Sequence, residues 1–312
     1  MKFSELPIVE NILTLCKKYS LPGFAGIPIY DVVKFIIMES MKDDIITRAN
    51  SVAFNFFISL FPALIFLFTL LPLLPVTADY ITILKESMTG ILPLQAHAYL
   101  FATIEDVASI KRGGLQSVSF LFAIIFSSTG MVTLMYGFNK SYERVFKKRS
   151  YVKNRLVAIF LTLLFVILFI ISMMLIIFGK PLLDLALNKT DLVSHSAVVM
   201  LFVKWTIVTS FLYIGITLIY RYGSAMEKRI RWINSGAILA TGVSIMASVI
   251  FAFFINNFGR YNEIYGSIGA LIVLLLWIQI NALIVLIGFE LNASIAVNKA
   301  ILMSAEEGVV SD

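Results

Sequence analysis

The sequence is poor in charge. Only 14% of its 312 residues are Asp, Glu, Lys or Arg, against 59% hydrophobic residues. A soluble domain of that length carries about a quarter charged residues. Cysteine is nearly absent too, and the single Cys16 excludes an internal disulfide framework and any Cys-based zinc site. There are two histidines, His97 and His195, and neither lies in a metal-ligand pattern. No P-loop is present, so ATP-driven transport by this chain alone is not expected. The first twenty residues, "MKFSELPIVENILTLCKKYS", hold no continuous apolar core and no small-residue cleavage site, so no cleavable signal is expected.

What the sequence has instead is apolar runs. The mean hydropathy is +0.92, and it is gathered into blocks near 52–74, 115–138, 156–178, 197–219, 233–258 and 267–290. Each is about 20 residues, enough at 1.5 Å per residue to cross ~30 Å of hydrocarbon. The expected fold is all-α: a polytopic membrane protein with a bundle of six transmembrane helices and short amphipathic helices on both faces.

Lys and Arg give the orientation. Six precede the first run, seven fall in 139–155, four in 220–232 and one in the tail, whereas loops 75–114, 179–196 and 259–266 hold three, two and one. Both termini are therefore expected in the cytoplasm and the protein in the inner membrane. The division is a cytoplasmic segment 1–51, a membrane domain 52–290 and a cytoplasmic tail 291–312. The net charge of +6 follows from the same asymmetry, so no nucleic-acid partner is implied. Basic blocks such as "KSYERVFKKRSYVKNR" also attract anionic lipid headgroups.

Two further segments have helical period without enough apolar length to cross. Val33, Ile37, Met41 and Ile45 recur every four residues in 30–47, with Asp31, Lys34, Glu39, Lys42 and Asp43 elsewhere, which suits an interfacial helix. Residues 94–110 repeat the pattern within 75–114, the sizeable loop on the far face.

Polar groups inside the apolar runs are the candidate site residues. Asn55, Ser59 and Pro62 are spaced four and three apart and share a helix face. Pro62 removes a backbone hydrogen bond, and Ser59 one turn earlier is placed to serve freed backbone groups. A structural kink and a broken helix lining a cavity are both open. "SSTGMVT" in the second run and Ala237, Thr241, Ser244 and Ser248 in the fifth form small-residue stripes that suit close helix packing. Lys204, beside Trp205, either snorkels to the interface or grips an anionic headgroup.

Gln279 and Asn281 lie within about three residues of the middle of the sixth run. An unpaired amide at that depth costs several kcal/mol, so each must find a partner or line a hydrated cavity. Two residues apart on a helix, they point roughly 200° from one another and cannot both serve one narrow contact. Glu290, at the expected cytoplasmic end, can reach water or a basic loop and is expected to have an interfacial or ion-paired structural role.

"RANSVAFNFFISLFP" resembles the Ala-aromatic…Ser-Leu-Phe-Pro signature of the YihY/virulence factor BrkB family, also labelled ribonuclease BN. "FNKSYERV", with Asn139, resembles the family's segment after the second span. The most specific likeness is "NNFGRYNEIYGSIGALIVLLLWIQINALIVLIGFELNASI", which carries Tyr261, Asn262, Tyr265, Gly266, Ser267, Leu276, Trp277, Gly288, Glu290, Leu291 and Asn292 at the family's motif positions. Phe54 stands where the family usually has Tyr. The resemblance spans about residues 45–295 and implies a six-span inner-membrane protein.

RNA cleavage would need a metal site or an acid–base pair. Both histidines fall on the non-cytoplasmic side, and Asp43 and Asp44 sit on the wet face of an amphipathic helix. The expectation is no enzyme and no cofactor or metal. The leading reading is a transporter or flippase-like conduit for a lipid or other amphiphile. The alternative is a non-catalytic scaffold or partner subunit of an envelope complex, docking through loop 75–114. Membrane lipids are the expected partners, and oligomerisation is open.

Overall fold

A computed structural model describes residues 19–20, 26–42, 45–70, 115–138, 145–187, 196–257 and 261–309, with Thr14 and Lys17 singly. The expected amphipathic segment 94–110, loop 75–114, Cys16, Asn139, Asp43, Asp44 and both histidines lie outside the described residues. The described chain is helical and contains no strand, only an isolated antiparallel bridge between Phe146 and Met226. In chain order the helices are α1 (Ile29–Lys42), α2 (Ile45–Leu70), α3 (Leu115–Ser127), α4 (Thr129–Gly137), α5 (Tyr151–Leu187), α6 (Ser196–Leu218), α7 (Ser235–Asn257) and α8 (Tyr261–Val309). A π-turn, Ile219–Gly223, closes α6.

Four apolar stretches among the described residues are long enough to cross a membrane: Tyr151–Ser172, Phe202–Gly223, Ser235–Phe254 and Leu271–Ile301. A shorter apolar stretch runs Leu121–Gly137. Their outward faces carry large apolar side chains such as Phe122, Phe126, Phe160, Met246, Ile250 and Phe253. So much exposed apolar surface is unfavourable in water and suits contact with lipid.

α8 packs along α7 and α2, α2 along α3 and α4, and α5 along α6. The most enclosed part of the core lies where α4, the π-turn and α8 meet. There Phe138 stacks on Phe289 with centroids 4.3 Å apart, and Tyr220 meets both rings edge-on or tilted at 5.8 and 5.9 Å. All three rings are fully buried. Such pairs add about 0.5–1.5 kcal/mol each beyond area burial.

Several boundaries differ from the sequence expectation. The sixth run does not end at Glu290: Leu291, Ala293, Ser294 and Val297 continue α8 as buried residues. Leu291 packs with Ile27, Ile29 and Ile295. Glu290 itself is paired inside the fold rather than hydrated. The helix also starts earlier, at Tyr261, inside the expected loop 259–266. The second run is two helices, α3 and α4, interrupted at Ser128. The interfacial segment 30–47 is divided, with α1 ending at Lys42 and α2 beginning at Ile45. On α1 the expected apolar positions Val33 and Ile37 are 46% and 54% exposed.

Candidate functional site

The most densely bonded polar group is built on the Gly-x-Glu-Leu-Asn end of the apolar part of α8. Gly288 is required for a close approach. A Cβ there would stand 2.5 Å from Tyr220 Oη and 2.7 Å from the Gly236 carbonyl. Tyr220 Oη donates to the Val285 carbonyl at 2.6 Å, locking the π-turn onto α8. One turn on, Asn292 Oδ1 accepts the Gly236 amide at 3.0 Å, and its Nδ2 donates to Asn234 Oδ1 at 2.8 Å. Asn234 Oδ1 also accepts the Ala237 amide at 2.8 Å, which caps the first turn of α7. Asn292 therefore satisfies a donor at the N-terminus of a neighbouring helix, where four amides have no intrahelical partner.

Glu290 is 0% exposed. Its Oε1 is 2.9 Å from Arg48 Nη2 on α2, and Arg48 Nη1 donates to the Gly137 carbonyl at 2.7 Å. One guanidinium thus joins α2, the C-terminus of α4 and α8. The sequence pointed to an interfacial or ion-paired structural role for Glu290. The structure pairs it with an arginine 242 residues earlier in the chain. Arg48 and Asn234 were not singled out beforehand. Asn234 had a usable signal, since Asn just before an apolar helical run marks an N-cap. Arg48 had none, because long-range pairing leaves no local periodicity.

A second feature is the crossing of a proline-containing helix, α2, with the interrupted α3–α4 pair. Ser59 Oγ donates to the Asn55 carbonyl at 2.6 Å and accepts the Gly130 amide at 2.8 Å. Pro62 lies within α2 one turn beyond. Gly130 brings its backbone against α2, since a Cβ there would lie 3.0 Å from Phe56 Cα. Ser127 and Ser128 donate back to the carbonyls of Ile124 and Ile125. Arg155 of α5 also donates to the Ile125 carbonyl and approaches Thr129 Oγ1 at 3.4 Å. Irregular backbone at membrane depth survives only where it is buried in protein or lines a cavity, and here Ser59 and Ser128 are both buried.

The two amides of α8 diverge as their spacing requires. Gln279 Nε2 donates to Asn50 Oδ1 of α2 at 2.6 Å, whereas Asn281 Nδ2 returns to its own helix at the Trp277 carbonyl, 2.9 Å away. Trp277 Nε1 donates to Ser248 Oγ of α7 at 3.3 Å. Asn55 Nδ2 bonds within α2 to the Ser51 carbonyl at 2.9 Å. Asn55, Ser59 and Pro62 thus share one helix with Asn50, the partner of Gln279. Lys204 stands apart from them as an exposed side chain of α6 beside the exposed Trp205. Tyr261, Asn262, Tyr265, Gly266 and Ser267 form the first turns of α8, and their side chains lie outside what is described. In the small-residue stripe of α7, Ala237, Thr241 and Ser244 are buried against neighbouring helices. Among the described residues no group of three or more His, Cys, Asp or Glu could hold a metal ion.

The model of the family described as virulence factor BrkB matches residues 36–307. A putative ribonuclease-like protein YfkH of Bacillus subtilis (strain 168) is 29% identical over 251 residues, covering 79% of this chain and 88% of that protein. A UPF0761 membrane protein of Xanthomonas campestris pv. campestris (strain B100) is 37% identical over 84 residues, which is 27% of this chain and 20% of that one. No solved structure matches the chain. The family match covers every helix that bears the Arg48–Glu290 pair, the Ser59–Gly130 crossing and the Asn292 clamp, and the chain belongs to the virulence factor BrkB family of membrane proteins.

Proposed function

We propose that this chain is a six-span protein of the inner membrane, with both termini in the cytoplasm, that passes a lipid or other amphiphile across the bilayer without catalysing a covalent reaction. The spans are α2, the α3–α4 pair, α5, α6, α7 and α8. The orientation rests on the asymmetry of Lys and Arg between alternate loops. The single observation that carries the conduit is the Ser59–Gly130 crossing, where a proline-containing helix and a broken helix exchange a hydrogen bond. Discontinuous helices near the bilayer midplane are a recurring feature of transporter sites. On the contact of α2 and α8, Gln279 meets Asn50, while Asn55 bonds within α2.

A scaffold is the second reading, favoured by one observation: Gln279 and Asn281 both have partners within the protein. The two separate on Gln279→Leu, whose partner Asn50 is exposed and can turn to solvent. Interhelical glue contributes ~0.6 kcal/mol per contact, up to ~2. The conduit reading expects near-unchanged thermal stability in detergent with loss of complementation of a deletion strain. Complementation that falls only in proportion to folded protein would leave the amides as glue and remove the conduit.

A further inference from the structure

The strongest charge imbalance in the described structure lies away from that crossing. The segment 145–154 carries four Lys and Arg and the segment 219–234 four, against one acid, Glu227. Glu227 is occupied by Lys147 at 3.2 Å. The two segments are tied into one platform by backbone bonds flanking the Phe146–Met226 bridge: Lys147 donates to Ala225, and Glu227 to Val145, each at 2.8 Å.

Three guanidiniums gather on this platform around Tyr222. Arg229 and Arg221 stand over its ring, with Cζ 5.3 and 5.8 Å from the centroid. Arg149 donates to the carbonyls of Tyr222, Gly223 and Ser224, satisfying the end of the π-turn. Burial and the charge of Arg229 together hold the Arg149 guanidinium below its ordinary range, so the cluster carries like charge without an acid to offset it. Arg221 donates to the Ile230 carbonyl and lies 5.2 Å from the ring of Trp232. Its Nε is buried without a hydrogen-bond partner.

The position of the cluster decides what anion suits it. The apolar stretch of α6 ends at Gly223, that of α5 opens at Tyr151, and that of α7 opens at Ser235. Next to the cationic group, Trp232 and Ile233 are 51% and 80% exposed. An aromatic and an aliphatic side chain beside fixed guanidiniums, at the level where three spans begin or end, match the boundary between phosphate and acyl chain. We propose that Arg229, with Arg149 and Arg221 behind it around Tyr222, forms a binding site for the phosphate of an anionic phospholipid, whose acyl region lies against Trp232 and Ile233. Guanidinium is suited to this because its planar fork meets phosphate oxygens in pairs. The site stands independently of any conduit, since it needs only a bilayer beside it.

The test uses the full chain purified in an uncharged detergent, with dioleoylphosphatidylglycerol titrated in and bound lipid counted by native mass spectrometry. Diffuse attraction is worth about fivefold in affinity per basic side chain. A direct contact exceeds that, so Arg229→Gln is expected to weaken the saturable site about twentyfold. Lys148→Gln, on the same platform but outside the Tyr222 group, is expected to stay within about fivefold. Arg229 is exposed, so its replacement leaves the packing intact. Should it not, Arg229→Lys, which keeps the charge and loses the planar fork, is read in the same direction. Dioleoylphosphatidylcholine should not fill the site, and inorganic phosphate should compete. Equal losses in Lys148→Gln and Arg229→Gln would reduce the site to diffuse charge and overturn it. Unchanged binding in Arg229→Gln, or binding of inorganic phosphate without the lipid, would overturn it as well.

Discussion

Replacing Arg48 by Met should be one of the most destabilising changes available in this fold, and more so than replacing its partner Glu290 by Leu. The side chain of Glu290 is 1% exposed and that of Arg48 is 18% exposed. With Arg48 gone, the carboxylate stays where water does not reach, and the Gly137 carbonyl loses a donor at 2.7 Å. Breaking a buried pair from one side costs about 3–5 kcal/mol. A lost hydrogen bond to a charged group adds about 1.5–3 kcal/mol to the upper range. With Glu290 gone, Arg48 keeps its bond to Gly137 and has a path to solvent, so about 2–3 kcal/mol is expected, below the range for a trapped charge. The double variant Arg48→Met/Glu290→Leu leaves no buried charge and should recover most of the Arg48→Met loss, giving a coupling of about 2 kcal/mol or more. Unfolding in mixed micelles with a denaturing detergent, over the four proteins of the cycle, measures this. Strict additivity, or an Arg48→Met variant within about 0.5 kcal/mol of wild type, the ordinary range of surface substitutions, would refute the assignment of the pair as a buried tie between helices.

The glycines of α7 and α8 should separate by space. Gly288→Ala places a Cβ 2.5 Å from Tyr220 Oη and should cost about 1–3 kcal/mol or prevent folding, whereas Gly242→Ala meets nothing within 4 Å and should be tolerated. Thermal melts of both variants in one detergent check the contrast. Asn292→Leu strands the Gly236 amide and should lower stability by about 1–3 kcal/mol, with protease susceptibility rising at the start of α7. For topology, a membrane-impermeant thiol reagent on intact cells should spare Cys16 and a cysteine introduced at Lys147, and should label a cysteine placed in 75–114. The reverse pattern would invert the proposed orientation.

The helical class and the centres of the last four apolar runs were legible because spanning a bilayer demands length and apolar content, both local properties. The divergence of Gln279 and Asn281 was legible too, since 100° per residue dictates it. The bond of Ser59 to the Asn55 carbonyl is local to its helix, but its second partner, the Gly130 amide 71 residues on, lay beyond local pattern. The break at Ser128 escaped because the run of small residues there suits close packing as well as interruption. For Glu290 an ion-paired role was among the readings the sequence allowed, but its partner was not legible, because nothing nearby in sequence points to Arg48, 242 residues earlier. The rest of the Asn292 clamp depended on how α7 starts relative to α8, which only the fold decides.

We propose that an amphiphile crosses the bilayer beside the Ser59–Gly130 crossing. This passage is tested most directly by reconstituting the purified chain into liposomes carrying a fluorescent phospholipid on both leaflets and following quenching by an impermeant reductant. At several copies per vesicle, wild type should render nearly all of the label accessible, and Ser59→Ala should return toward the half accessible in protein-free vesicles. Traces for wild type that coincide with protein-free vesicles, across zwitterionic and anionic lipid probes, would contradict the account.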